Sequence, residues 1–155
     1  VLLGAVLPVI AIPIGGLWLW GRPRAEVSLP TYPASPADVV KLYVRAMDVR
    51  DFDACRRMGI ADRTTVGANW MSLHAPNVTN LRIDRVHSIV PGARAAKEQY
   101  NSQLRGWEQT VAVDTTATLN NFNGFQASRP GEPWSYELVR HDDSSPGLIF
   151  DQGQG

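Results

Sequence analysis

The chain has 155 residues, 44% of them hydrophobic and 19% charged, and its 15 basic side chains balance 15 acidic ones; that length suits one domain with an appendage. A net charge of zero excludes the surplus of Lys and Arg that phosphate neutralisation or lipid attraction requires, so neither a nucleic-acid partner nor a polybasic membrane-surface role is implied. The single cysteine, Cys55, excludes an intramolecular disulfide framework and a cysteine-based zinc cluster, because both need several thiols.

Residues 1–21 are apolar residues, Gly and Pro only. At about 1.5 Å per residue a helix of this length spans about 30 Å, the hydrocarbon thickness of a bilayer. Pro8 and Pro13 suit a membrane helix better than a soluble one, Trp18 and Trp20 fall where an interfacial aromatic belt would, and Arg22 and Arg24 stop transfer. The segment reads as an uncleaved transmembrane anchor. A signal peptide needs a small-residue cleavage site that 20–25 lack, and a chain this small cannot cover a helix that is apolar all round. Arg22 and Arg24 alone pull the C-terminal side toward the cytoplasm, and basic residues upstream of Val1 would reverse that.

Residues 22–36 hold Pro23, Pro30, Pro33 and Pro36, a composition that favours extended polyproline II and cannot build a core. This linker reads as a stalk, which favours a single-pass cell-membrane protein with its C-terminal domain extracytoplasmic. The basic residues are arginine except at Lys41 and Lys97, a usage that fits a GC-rich bacterial genome.

Ser35-Pro36-Ala37-Asp38 is a helix start: Ser35 can cap, Pro36 fits the first helical position, and Asp38 meets the positive end of the dipole. The steps between Val39, Val40, Tyr43, Ala46 and Met47 predict one apolar stripe on a helix over 36–49. Asp51 caps and Gly59 stops a second helix over 51–58, with Phe52, Cys55 and Met58 on its buried face. A further helical turn or two is predicted over 66–73. The period then changes to two. Leu81, Ile83, Arg85 and His87 share one face of a strand and Arg82, Asp84, Val86 and Ser88 the other, with Pro91-Gly92 as its closing turn. A Val- and Thr-rich run over 109–119 places Val111, Val113, Thr115, Ala117 and Leu119 on one face and Ala112, Asp114, Thr116 and Thr118 on the other. Residues 120–124 are turn material, and Trp134, Tyr136, Leu138 and Arg140 alternate with Ser135, Glu137, Val139 and His141 before a last strand over 148–152. Residues 94–105 are compatible with a helix, a strand extension or an excursion. Helices first and antiparallel strands second define an α+β domain whose helices pack on one side of a curved sheet.

That order of elements resembles the nuclear transport factor 2-like superfamily, the cone-shaped fold shared with ketosteroid isomerases and small polyketide cyclases. The opening Ala37-Asp38-Val39-Val40-Lys41-Leu42-Tyr43-Val44-Arg45-Ala46, the closing Trp134-Ser135-Tyr136-Glu137-Leu138-Val139-Arg140 and Leu148-Ile149-Phe150-Asp151-Gln152-Gly153 are similar to membrane-anchored bacterial members. The resemblance covers 37–155 and implies a cone with an internal pocket.

Metal spacing is lacking among His74, His87 and His141, and no motif calls for a cofactor. Gly15-Gly16 to Gly21 lacks the preceding strand of a phosphate loop, and Cys55 reads as a small core residue. Asn77-Val78-Thr79 has the glycosylation pattern, relevant only in a eukaryotic secretory route. Pocket chemistry of the isomerase type would use Tyr43, His87, Trp134 and Tyr136, with His87 as the proton-exchanging candidate. Asp84 and Asp114 fall on the face away from the apolar residues, so the acidic base that isomerases of this superfamily need in the cavity is missing unless a bulge re-aims one of them. Two functions follow: a membrane-anchored, non-catalytic binding domain for a small hydrophobic ligand or a protein, and an isomerase or cyclase acting on a small hydrophobic molecule. The sequence sets no oligomeric state.

Overall fold

A computed structural model describes residues 13–16, 18–19, 22–60, 77–99, 101–120 and 129–153. The turns predicted over 66–73, His74 and most of the 120–124 turn lie outside the described residues, as does most of the apolar segment. Residues 13–16, 18 and 19 are helical, and among the described residues no helix is long and apolar enough to cross a membrane.

The chain is α+β. Helix α1, Pro36–Asp48, starts as its sequence dictates, with the Ser35 side chain accepting from the Asp38 N–H and Pro36 in the first turn. It ends through a left-handed Arg50 (φ 62°), with Arg50 N–H bonded to Met47 O and Asp51 N–H to Ala46 O. This is a Schellman closure built without glycine. Asp51 then caps α2, Phe52–Met58, by accepting from the Ala54 N–H at 3.0 Å. Gly59 ends α2 in extended conformation (φ −123°) and bridges to Ile149.

Strands β1 (Asn77–Val86), β2 (Val90–Pro91), β3 (Gln109–Asn120), β4 (Arg129–Arg140) and β5 (Leu148–Gly153) form one antiparallel sheet in the order β1-β3-β4-β5, with β2 also against β3. Pro91-Gly92, predicted as a turn, instead joins β2 to a helix, α3 (Gly92–Glu98), which a 3-10 turn over Ser102–Gly106 follows. These elements occupy the segment that sequence patterning left open. Gly92 is required there because a Cβ would lie 2.2 Å from Trp107 O and 2.3 Å from Leu104 O.

One face of the sheet carries Val111, Val113, Tyr136 and Leu138, buried against Val39, Val40, Tyr43 and Met47 of α1 and Phe52, Cys55 and Met58 of α2. On the opposite face, among the described residues, Ala95, Ala96 and Leu104 cluster with Val139 and Phe150. Val139 is therefore buried although alternation assigns it away from the main core. Two register shifts interrupt β1, one between Thr79 and Arg82 and one between Ile83 and Arg85; extra residues of this kind twist and blunt an edge strand.

Part of the predicted linker lies against the folded domain. Arg24 N–H donates to Val49 O at 2.8 Å, Val27 is buried with its N–H on Asp51 Oδ2 at 2.8 Å, and Ala34 packs on the core beside the start of α1. The linker thus runs antiparallel along α1 as a strap. Proline offers no N–H, so such a segment has few donors to satisfy, and one apolar anchor with two hydrogen bonds holds its first half down.

Candidate functional site

The four residues singled out by sequence separate into two groups. Tyr43 and Tyr136 meet inside the main core, ring centroids 6.3 Å apart at 77°, and Trp134 packs half-buried beside them. Such an edge-to-face contact fills space that a pocket would need. Tyr43, expected to line the pocket, is fully buried, and its Oη makes no well-formed hydrogen bond. Burial drives its ionisation far up, reinforced by Cys55 and Tyr136 and slightly eased by the Gln152 side chain. Burial likewise raises Tyr136 and lifts the Cys55 thiol to about 12, which suits a core residue rather than a nucleophile. Because the buried Tyr43 hydroxyl makes no well-formed hydrogen bond and the Gln152 side chain opposes its burial only weakly, Tyr43→Phe is expected to raise unfolding free energy by about 1 kcal/mol, checked by urea denaturation; an equal loss would show that the Gln152 contact is the stronger effect.

His87 lies on the other face. Asp84 is the extra residue between Ile83↔Thr115 and Arg85↔Asp114, and it turns the alternation over by one. His87 N–H consequently bonds to Ala112 O, and its ring reaches Asp114, Nε2 to Oδ2 2.6 Å. The bulge that the strand pattern left as an exception is present, and it carries His87 to the carboxylate rather than the carboxylate into the core. Ser135 Oγ donates to Asp114 Oδ1 at 2.9 Å. Nearby, Asp84 accepts from Thr116 Oγ1 and from Arg82 Nε, and Gln99 donates to Glu137 at 3.2 Å. Burial pushes Glu137 above the usual carboxylate range, with the Gln99 bond opposing.

The order Ser135-Asp114-His87 decides what this cluster can do. A nucleophilic serine needs the imidazole between itself and the carboxylate, whereas here the carboxylate sits in the middle, hydrogen-bonded to both. Asp114 is held below its usual range, chiefly by the His87 bond and then by Ser135, with desolvation opposing. A depressed carboxylate stabilises above its unfolded pKa and loses that contribution as pH falls through the folded one. Asp114→Asn should therefore flatten the acid limb of the stability profile below about pH 4, by less than about 1 kcal/mol because both His87 and Asp114 side chains are 41% exposed. Unchanged acid sensitivity would dismiss the pair as a stabilising contact.

A partly open cavity lies elsewhere, where the strap crosses the end of the sheet. Pro30, Pro33 and Pro36 roof a cavity of about 70 Å³. Val39, Val111 and Leu138, nearly fully buried, form its apolar floor, while Gln109, Arg140 and Ser145 give it a polar end. Tyr32 and Ile89 line it too, although both are about half exposed. The polar end is wired together: Arg140 Nε reaches Gln109 Oε1 at 2.6 Å, Arg140 Nη2 and Gln109 Nε2 reach Asp143 Oδ1 at 3.0 and 2.9 Å, and Tyr32 Oη donates to Asp143 O. Sequence reasoning placed Arg140 on the inward face but assigned it no role, and it missed the strap. Prolines three apart at 30, 33 and 36 were the available signal, since that spacing aligns one side of an extended chain.

Among the described residues no group of three or more His, Cys, Asp or Glu side chains is placed to hold a metal ion. No family model, no curated protein and no solved structure matches the chain.

Proposed function

We propose that this protein is a membrane-anchored, non-catalytic binding domain with a nuclear transport factor 2-like cone fold, held on the extracytoplasmic side by residues 1–21. The observation that carries the reading is the cavity under the strap: it is apolar along one wall and polar at one end, and its described lining holds no carboxylate, histidine or cysteine side chain. Support for the anchor comes from the charge-free composition of 1–21, whose length suits a bilayer. Support for binding rather than turnover comes from the division of the site residues, with Tyr43 and Tyr136 packed in the core and His87 across the sheet.

The alternative is an isomerase or cyclase, and the His87 and Asp114 pair favours it: a carboxylate orients the imidazole through Nε2, as a general base requires. The full chain distinguishes the two. It should stay with membranes after carbonate extraction, react at Lys41→Cys with an impermeant maleimide in intact cells, and leave steroid, polyketide and enone substrates at the buffer rate. Lys41 suits the reporter because its side chain is 58% exposed. Labelling only after lysis would reverse the orientation, and turnover that disappears in His87→Ala would replace binding with catalysis.

A further inference from the structure

We infer that the cavity under the strap is a site for a short aliphatic monocarboxylate, with the chain along Val39, Val111 and Leu138 and the carboxylate on Arg140. The inference rests on the binding-domain reading above and adds the chemical class of the ligand. Size sets the chain length. A void needs about 10 to 15 Å³ to hold one water-sized centre, so about 70 Å³ takes roughly five to seven non-hydrogen atoms. That is the tail of a hexanoate to an octanoate, well short of a lipid acyl chain.

Charge sets the head group. Alternation along β4 puts Arg140 on the same face as Tyr136 and Leu138, at the end of the sheet where the cavity turns polar. Its side chain is 26% exposed and its guanidinium spans Gln109 and Asp143, and the Asp143 side chain is 84% exposed. So exposed a carboxylate is a weak partner for arginine. A ligand carboxylate arriving from within the cavity would meet the guanidinium in a drier setting, where a charge-assisted pair is stronger. Tyr32, whose hydroxyl holds the Asp143 carbonyl, ties the strap to the loop that carries this counter-charge. Ligand entry and the Arg140 to Asp143 contact therefore occur at the same rim.

The test uses the full chain in lipid nanodiscs with labelled Val and Leu methyl groups, titrated separately with hexanoate, hexan-1-ol and palmitate. Hexanoate should shift the methyls of Val39, Val111 and Leu138 while Val78 stays still, with a half-saturation at least tenfold below that of the alcohol. Arg140→Gln should bring the two ligands to equal affinity. Gly147→Val should weaken both, because a Cβ there points toward Leu138, with Cδ2 at 3.6 Å, and meets nothing closer. Equal binding of hexanoate and hexan-1-ol by the unaltered protein would overturn the carboxylate assignment and leave the binding reading in place. Shifts with palmitate alone would overturn the short-chain assignment in favour of a membrane-derived ligand. No shift at these three methyls with any of the three would overturn both the inference and the binding reading.

Discussion

Leu138→Ala is expected to lower the unfolding free energy by about 2 to 5 kcal/mol, the range for truncating a buried leucine. Leu138 is 1% exposed on β4, opposite Val111 on β3, and belongs to the core beneath α1. Its loss removes buried apolar area and leaves a void that α1 cannot close without giving up contacts of Val39 and Val40. Lys41→Ala, on the exposed side of the same helix, should change stability by less than about 0.5 kcal/mol. Urea denaturation followed by tryptophan fluorescence compares them, with an unchanged slope confirming that stability alone has moved. Similar midpoints for both variants would refute the strand alternation on which the core and the cavity depend. Leu138 also forms part of the cavity wall, so this variant should bind a longer aliphatic carboxylate than the unaltered protein does.

Asp51→Ala is the second large effect, about 2 to 4 kcal/mol from one lost cap and one buried N–H left without an acceptor. Asp51 is 6% exposed and its two carboxylate oxygens serve two elements, Oδ1 accepting from the Ala54 N–H of α2 and Oδ2 from the Val27 N–H of the strap. Removing it should release the strap as well as α2. Amide exchange at Val27 should accelerate at least as much as at Ala54, while Val113 in β3 stays protected. Asp51→Asn, which keeps one acceptor oxygen, should recover part of the loss. A Val27 amide indifferent to Asp51→Ala would mean that the linker is held by its apolar contact alone, and the roof of the cavity would then be less fixed than the hydrogen bond implies.

Much of the architecture was readable because local chemistry and tertiary packing agree. Ser35, Pro36 and Asp38 start α1 for reasons contained within one turn. The α1 stripe of Val39, Val40, Tyr43, Ala46 and Met47 is buried, as are Val111, Val113, Thr115 and Ala117 of the β3 stripe, with Val44 and Thr110 buried besides; the Leu119 side chain lies outside the described residues. Thr115 tolerates burial because its hydroxyl donates to Trp134 O at 2.8 Å. The end of α1 was less legible, since Arg50 occupies the left-handed position that glycine usually marks. Its guanidinium lies 5.3 Å over the Phe52 ring, a contact that adds attraction where the backbone is strained.

By itself, then, the sequence determined the elements whose signals are short-range: the capped helices, the apolar faces, and an α+β order in which helices precede strands. Tertiary structure alone decided where the chemistry went. One extra residue at Asp84 reverses every side chain after it, because strand period is two, and this moved His87 from the expected core face to Asp114. It also decided the fate of the linker. A proline-rich segment with few hydrogen-bond donors has no local preference between solvent and a surface, so contacts far away in the chain, to Val49, Asp51 and Asp143, turned it from a spacer into a roof.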